Sequence, residues 1–244
     1  MKSFRSSILA SLLILLLLLP AHAQTGFRDV SSDAWYASGV SYVSSRNLMS
    51  GVGDGRFDPE GSVTRGMIVT ILHRMAGTPK PGRSAGFADV AAGSYYAAAV
   101  NWAAENAVVT GTDSNHFAPD SPITREQLAA ILFRYCKAQG DEATERANLS
   151  AYADASQISA YAKDAMSWAN ANGYLTGVSE DTLLPGGTTT RAQAAAIIMR
   201  YHSVMKPIAS QEPAQTAEEQ PKQEEKDKEK RKKKKHPPYP QSPR

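Results

Sequence analysis

The chain of 244 residues has one cysteine, Cys136, so it excludes an intrachain disulfide framework and a cysteine-built zinc site. Histidines are also few. Beyond the N-terminal and C-terminal segments they are His73, His116 and His202, with no HExxH spacing and no G-x-S-x-G beside them. A catalytic role is therefore not expected, and neither a cofactor nor a metal. Bulk positive charge is missing too. The formal charge is +3, but Gln211 to Arg244 hold ten basic and seven acidic residues (10 − 7 = +3), and Lys2 and Arg5 add +2. Residues 24–210 hold 15 basic and 17 acidic side chains (15 − 17 = −2), which argues against a basic nucleic-acid-binding fold. An acidic loop such as Gly53 to Asp58 lacks the ligand ladder of a calcium site and reads as turn chemistry.

Long hydrophobic runs are absent apart from Ile8 to Leu19, which is too short for a comfortable membrane span. It follows Lys2 and Arg5 and precedes Ala21, His22 and Ala23, a small-x-small pattern. Residues 1–23 read as a secretory signal, with a mature start expected at Gln24 and no membrane association after cleavage. No lipid-modified cysteine, sortase motif or C-terminal apolar stretch is seen, so no covalent tether is expected. Residues 207–244 are rich in Lys, Glu, Gln and Pro, with Arg231 to Lys235 all basic, and read as a disordered charged tail.

What the chain does contain is a repeat. Phe27-Arg28-Asp29-Val30 returns as Phe87-Ala88-Asp89-Val90 and, weakened, as Tyr152-Ala153-Asp154-Ala155. Then come Trp35, Tyr95 and Tyr161; Gly51, Gly111 and Gly177; the F-x-P segments beginning at Phe57, Phe117 and, as Leu-Leu-Pro, Leu183; and the pairs Thr64-Arg65, Thr124-Arg125 and Thr190-Arg191. Steps of 60 and then 65 or 66 residues join them, giving repeats at 24–83, 84–143 and 149–206.

Each unit reads as helix, loop, helix. In the second, Tyr96, Ala99, Val100, Ala103 and Ala107 form one apolar stripe on a helix from about Tyr95 to Asn106. Asp33 and the pair Gly93-Ser94 are its candidate caps in units one and two. Asn47 and Gly173 stand where the first helix ends, with Ala107 as the departure in unit two. The second helix opens on a Thr cap. Thr124 with Gln127, and Thr190 with Gln193, form capping boxes; Met67 leaves only the Thr64 cap in unit one. Its apolar face is Ile68, Ile71, Leu72 and Met75, and the equivalents in the other units. Two short helices cannot bury such faces alone, so the three units share a core.

Arg65, Arg125 and Arg191 sit at the first helical position, where a cation opposes the helix dipole at a cost of a few tenths to about 1 kcal/mol. An anion resolves the conflict. It is either a ligand carboxylate or phosphate held by the guanidinium and the helix N–H groups, or an internal acid such as Asp29, Asp89 or Asp154. Trp102 and Trp168, with Tyr42 at the equivalent place, lie about 200° from the core stripe and must pack on another repeat or line a groove. Cys136 reads as an inert buried thiol.

These residues resemble the S-layer homology (SLH) domain family in three tandem copies, on the pattern F-x-D-V, aromatic, Gly, F-x-P and I-T-R-x-E/Q. It is clearest at Phe87 to Val90, Tyr95, Gly111, Phe117 to Pro119 and Ile123 to Gln127. The resemblance implies an all-α, pseudo-threefold bundle with grooves between neighbouring repeats. It implies non-covalent binding of an acidic, commonly pyruvylated, secondary cell-wall polysaccharide at the Gram-positive cell surface, with Arg65, Arg125 and Arg191 contacting the glycan. The expected glycan-binding set is those arginines, Thr64, Thr124 and Thr190, the aromatics Trp35, Tyr95, Tyr161, Trp102 and Trp168, and Gly51, Gly111 and Gly177. A monomer is expected, with other surface proteins as further partners. The alternative is a structural or interaction module whose arginines form internal ion pairs. Unit one departs from the pattern with Gly66 and Met67 after its Arg, and unit three in its opening and its Leu183.

Overall fold

The computed structural model describes residues 26–204; the expected signal and tail lie outside the described residues. Six helices follow in pairs: α1 (Ala37–Ser45) and α2 (Arg65–Met75), α3 (Ala97–Glu105) and α4 (Arg125–Ala138), α5 (Lys163–Ala171) and α6 (Arg191–Val204). No strand occurs among the described residues, only isolated bridges. The all-α, helix-loop-helix expectation holds.

The pairing is not within units. The first helix of each unit packs on the second helix of the preceding one: α3 on α2, α5 on α4, and α1 back on α6, which closes a ring. Gly39 makes the closing contact possible, since a Cβ there would lie 3.0 Å from the Cα and N of Ala196. The other two seams carry Ala99 and Ala165 at this place.

The short segments before the second helices meet at the centre. Val63 N–H donates to Thr189 C=O, Thr189 N–H to Ile123 C=O, and Ile123 N–H to Val63 C=O, at 2.9–3.0 Å. This cyclic trio defines the pseudo-threefold axis. Its side chains are fully buried, and the Thr189 hydroxyl has no partner.

Second-helix caps form as expected. Thr64, Thr124 and Thr190 hydroxyls accept from the amides of Met67, Gln127 and Gln193, and both glutamines reach back to the cap. First-helix caps differ from expectation. The helices begin after Tyr36, Tyr96 and Ala162 with no side-chain cap, and Asp33 bonds Ser31 instead. A hydrogen-bonded turn leads into the helix, so Trp35, Tyr95 and Tyr161 stand on that turn rather than in the helix. Ala107 is exposed and leaves the stripe. It takes the left-handed conformation (φ 56°) that Asn47 and Gly173 also adopt, so unit two keeps the helix end despite its residue.

Candidate functional site

Each F-x-D-V acid serves as a clamp on its own unit. Asp29 accepts from the amides of Phe57 and Asp58, Asp89 from Phe117 and Ala118, and Asp154 from Leu183 and Leu184, at 2.7–3.2 Å. The clamp holds Asp58, Ala118 and Leu184 at φ 55–58°, which non-glycine residues adopt only when held. Partial burial opposes ionisation of Asp29 and Asp89, but these amide bonds outweigh it and hold both carboxyls below the usual range.

The clamped segment presents its carbonyl to the arginine of another unit. Arg65 Nε donates to Phe117 C=O (2.9 Å), Arg125 Nε to Leu183 C=O (2.7 Å) and Arg191 Nε to Phe57 C=O (2.7 Å). Arg125 and Arg191 spend a second nitrogen on Thr176 C=O (2.6 Å) and Ser50 C=O (2.7 Å). Arg65 and Arg191 also lie over the rings of Phe117 and Phe57. All three are over 90 % buried, and burial lowers their pKa.

Two expectations are corrected here. Among the described residues no carboxylate lies within ion-pair distance of these arginines; Asp29, Asp89 and Asp154 instead accept from the amides of their own units. The helix N–H groups are not open to an anion either. Those of Arg65, Arg125 and Arg191 go to the carbonyls of Ser121, Gly187 and Gly61; the next go to Pro119, Pro185 and Pro59; the third goes to the Thr cap. The neighbouring unit's backbone thus answers the helix dipole and leaves each guanidinium without a direct ion pair among the described residues. Asp89 acts on Arg65, Asp154 on Arg125, and Asp58 and Asp29 on Arg191, only at longer range.

Three grooves result, and every unit contributes to each. Groove 2 lies on α4. Its walls are Val109 to Thr112, Gln127, Ala130 and Arg134 from unit two, Arg65 from unit one and Tyr161 from unit three, around about 440 Å³. Groove 3 lies on α6 with Thr176 to Val178, Gln193 and Arg200, joined by Arg125 and Trp35, around about 330 Å³. Groove 1 lies on α2 with Leu48 to Ser50, Met67, Thr70 and Arg74, joined by Arg191 and Tyr95, and encloses only about 70 Å³.

The aromatics divide accordingly. Trp35, Tyr95 and Tyr161 are 65 %, 62 % and 54 % exposed at the groove rims. Trp102 and Trp168 are not groove residues. Both are buried between units, Trp102 against His73 and Tyr135, Trp168 against Phe133, Tyr174 and Tyr201. The face opposite the stripe is covered by the neighbouring unit's helix. Gly111 and Gly177 line grooves 2 and 3, and all three glycines have a packing reason. A Cβ on Gly51, Gly111 or Gly177 would meet Phe27, Phe87 or Tyr152 at 2.6–3.0 Å, besides backbone carbonyls. Thr64, Thr124 and Thr190 cap helices and do not line these cavities. Burial pushes the Cys136 thiol up to about 11.

Arg74, Arg134 and Arg200 were not anticipated. Each follows its Thr-Arg arginine by nine residues and stands in a groove. The same 60- and 66-residue steps carry them, so a search for every repeated charge would have found them.

The S-layer homology domain matches at residues 26–66, 86–129 and 151–195, more than half of the chain. The chain belongs to this family, in three tandem copies. Among similar proteins, the surface-layer 125 kDa protein of Lysinibacillus sphaericus is 27% identical over 203 residues, 82% of this chain and 17% of that protein. The amylopullulanase of Thermoanaerobacterium thermosulfurigenes is 29% identical over 172 residues, 70% of this chain and 9% of that protein. The cellulosome-anchoring protein of Acetivibrio thermocellus is 24% identical over 165 residues, 63% of this chain and 35% of that protein. The chain thus spans a small part of these relatives, and those named as enzymes match only through the repeat region. That region is an anchoring module for cell-wall polymers, and the protein is a cell-surface, wall-associated one.

Proposed function

We propose that this protein is exported and held non-covalently at the cell wall by binding an acidic secondary wall polysaccharide, one carrying a pyruvate ketal, in the grooves between its repeats. The observation that carries this reading is the recurrent groove. A buried arginine with no direct ion pair among the described residues comes from one unit, an exposed aromatic ring from a second, and a glycine loop with another arginine from the third. A carboxylate takes the guanidinium's open ion-pair position, and a sugar ring lies against the aromatic face. Affinity rests on placed arginines, since the folded part is close to neutral. A monomer suffices, because every groove is completed within one chain.

The test is binding of purified protein to wall sacculi before and after the polysaccharide is stripped. Binding only to the unstripped wall, weakened by added salt, is expected. Equal binding to both overturns the reading.

A further inference from the structure

The rim aromatics of the three grooves are supported differently. Trp35 rests edge-on against Tyr36 (5.3 Å, 86°), and Tyr95 against Tyr96 (4.9 Å, 72°). In unit three the next residue is Ala162, so Tyr161 has no such neighbour. Across the seam, the residue after the Thr-Arg pair changes in step. It is Gly66 where Tyr96 packs, and a Cβ there would come within 3.0 Å of that ring. It is Glu126 where Ala162 leaves the space. The Glu126 carboxylate is 8 % exposed and accepts from Ser159 N–H (2.9 Å), Ser159 Oγ–H (2.8 Å) and the Tyr161 hydroxyl (3.2 Å). The equivalents of Ser159 are Gly93, which has no side chain, and Asp33, which bonds Ser31.

We infer that Glu126 is a positioning residue of groove 2, fixing Tyr161 as the wall that faces Arg65 and Arg134 and so shaping that groove for a sugar bearing a carboxylate. The inference rests on the polysaccharide reading for its ligand, but not for the anchor itself. Glu126 holds the Tyr161 hydroxyl and is not among the residues lining the cavity, which it meets through Tyr161. Burial, then the Glu126 charge and hydrogen bond, push the Tyr161 phenol up to about 12, while Arg65 and Arg134 pull the other way. The hydroxyl is thereby tied to one anion, while the same groove holds two cations. A carboxylate ligand in this groove meets Arg65 and Arg134, which line it, and not Glu126, which does not. No other groove has an acid at this position, so this device is peculiar to the largest of the three.

The experiment has two arms on the full chain. In the first, Tyr Cζ carbons are labelled and spectra are taken at about pH 10.5, between the ordinary phenol value and that of an anchored one. Tyr161 should ionise at a lower pH in Glu126→Ala than in the wild type, so its ionised fraction at this pH should rise; an unchanged signal overturns the anchor. In the second, a pyruvylated hexosamine methyl glycoside is titrated while amides of groove 2 (Gly111, Thr112) and groove 3 (Gly177, Val178) are followed. Glu126→Ala and Tyr161→Phe should each weaken groove 2 about tenfold, leave groove 3 unchanged, and not add when combined. Equal weakening of both grooves, or full additivity, assigns Glu126 a structural role and overturns the inference. Absence of wild-type binding in every groove rejects the polysaccharide reading, and the spectroscopic arm then decides the anchor alone.

Discussion

Grooves 1 and 2 are built on the same plan from the same landmarks, yet one encloses about 70 Å³ and the other about 440 Å³. Two substitutions and one side-chain placement account for it. Thr70 stands where groove 2 has Ala130, adding a methyl and a hydroxyl that bonds Gly66 C=O (2.8 Å). Met67 replaces Gln127. Arg74 folds back onto Leu48 C=O (3.0 Å), whereas Arg134 has no such tie among the described residues. The arginines differ as well. Arg191 in groove 1 spends two nitrogens on carbonyls, while Arg65 in groove 2 spends only Nε and keeps both terminal NH2 groups without a protein partner among the described residues. A groove can therefore keep its signature arginine and still be nearly filled, because the arginine also has a structural task. In groove 1 it fastens unit three to unit one.

The largest test of this contrast removes the signature arginine from each groove in turn. Arg65→Ala should lower affinity of the whole protein for wall polysaccharide by about a hundredfold or more at groove 2, by loss of a charge-assisted contact. Arg191→Ala should barely change affinity while lowering the unfolding midpoint, since it removes two buried bonds. Calorimetric titration and thermal unfolding of both variants check this; the reverse pattern would break the distinction. Next in size is opening groove 1. Thr70→Ala with Met67→Gln should raise the number of pyruvylated glycosides bound per chain by one, read from the stoichiometry.

Smaller effects come from the frame both grooves share. Gly39→Ala should destabilise the ring-closing seam by about 1–3 kcal/mol, because the added Cβ meets backbone rather than a movable side chain. His202 lies in the same seam, its Nδ1 2.9 Å from the Tyr42 hydroxyl, and burial followed by nearby Arg46 lowers its pKa. A folded-state value below the unfolded one means full stability above the unfolded pKa and loss as pH falls through the folded one. The midpoint should therefore drop below about pH 6.5, and less so in His202→Gln, by unfolding at stepped pH. The smallest change is Thr189→Val on the axis. Replacing a buried unpartnered hydroxyl should raise stability by about 1 kcal/mol and leave both grooves' affinities unaltered.

Much of this was legible along the chain. Helix pairs, Thr caps and core faces follow from spacing and capping chemistry, which are local. The dipole conflict drew attention to Arg65, Arg125 and Arg191 but did not reveal their protein partners, the carbonyls of another unit. Trp102 and Trp168 were ambiguous because a second apolar face records that something covers it, and not what. Arg74, Arg134 and Arg200 were present at repeat spacing and went unread.

The sequence by itself determined the three units, the start of each second helix and the arginines that demand an answer to their charge, since each depends on residues within a few turns of one another. Only the tertiary structure decided that each groove draws its arginine, its aromatic ring and its floor from three different units, and that one of the grooves is nearly filled. Closure of α1 on α6 brings together residues more than a hundred positions apart, such as Arg191 and Phe57. No local pattern encodes which units meet there, or how much space is left between them.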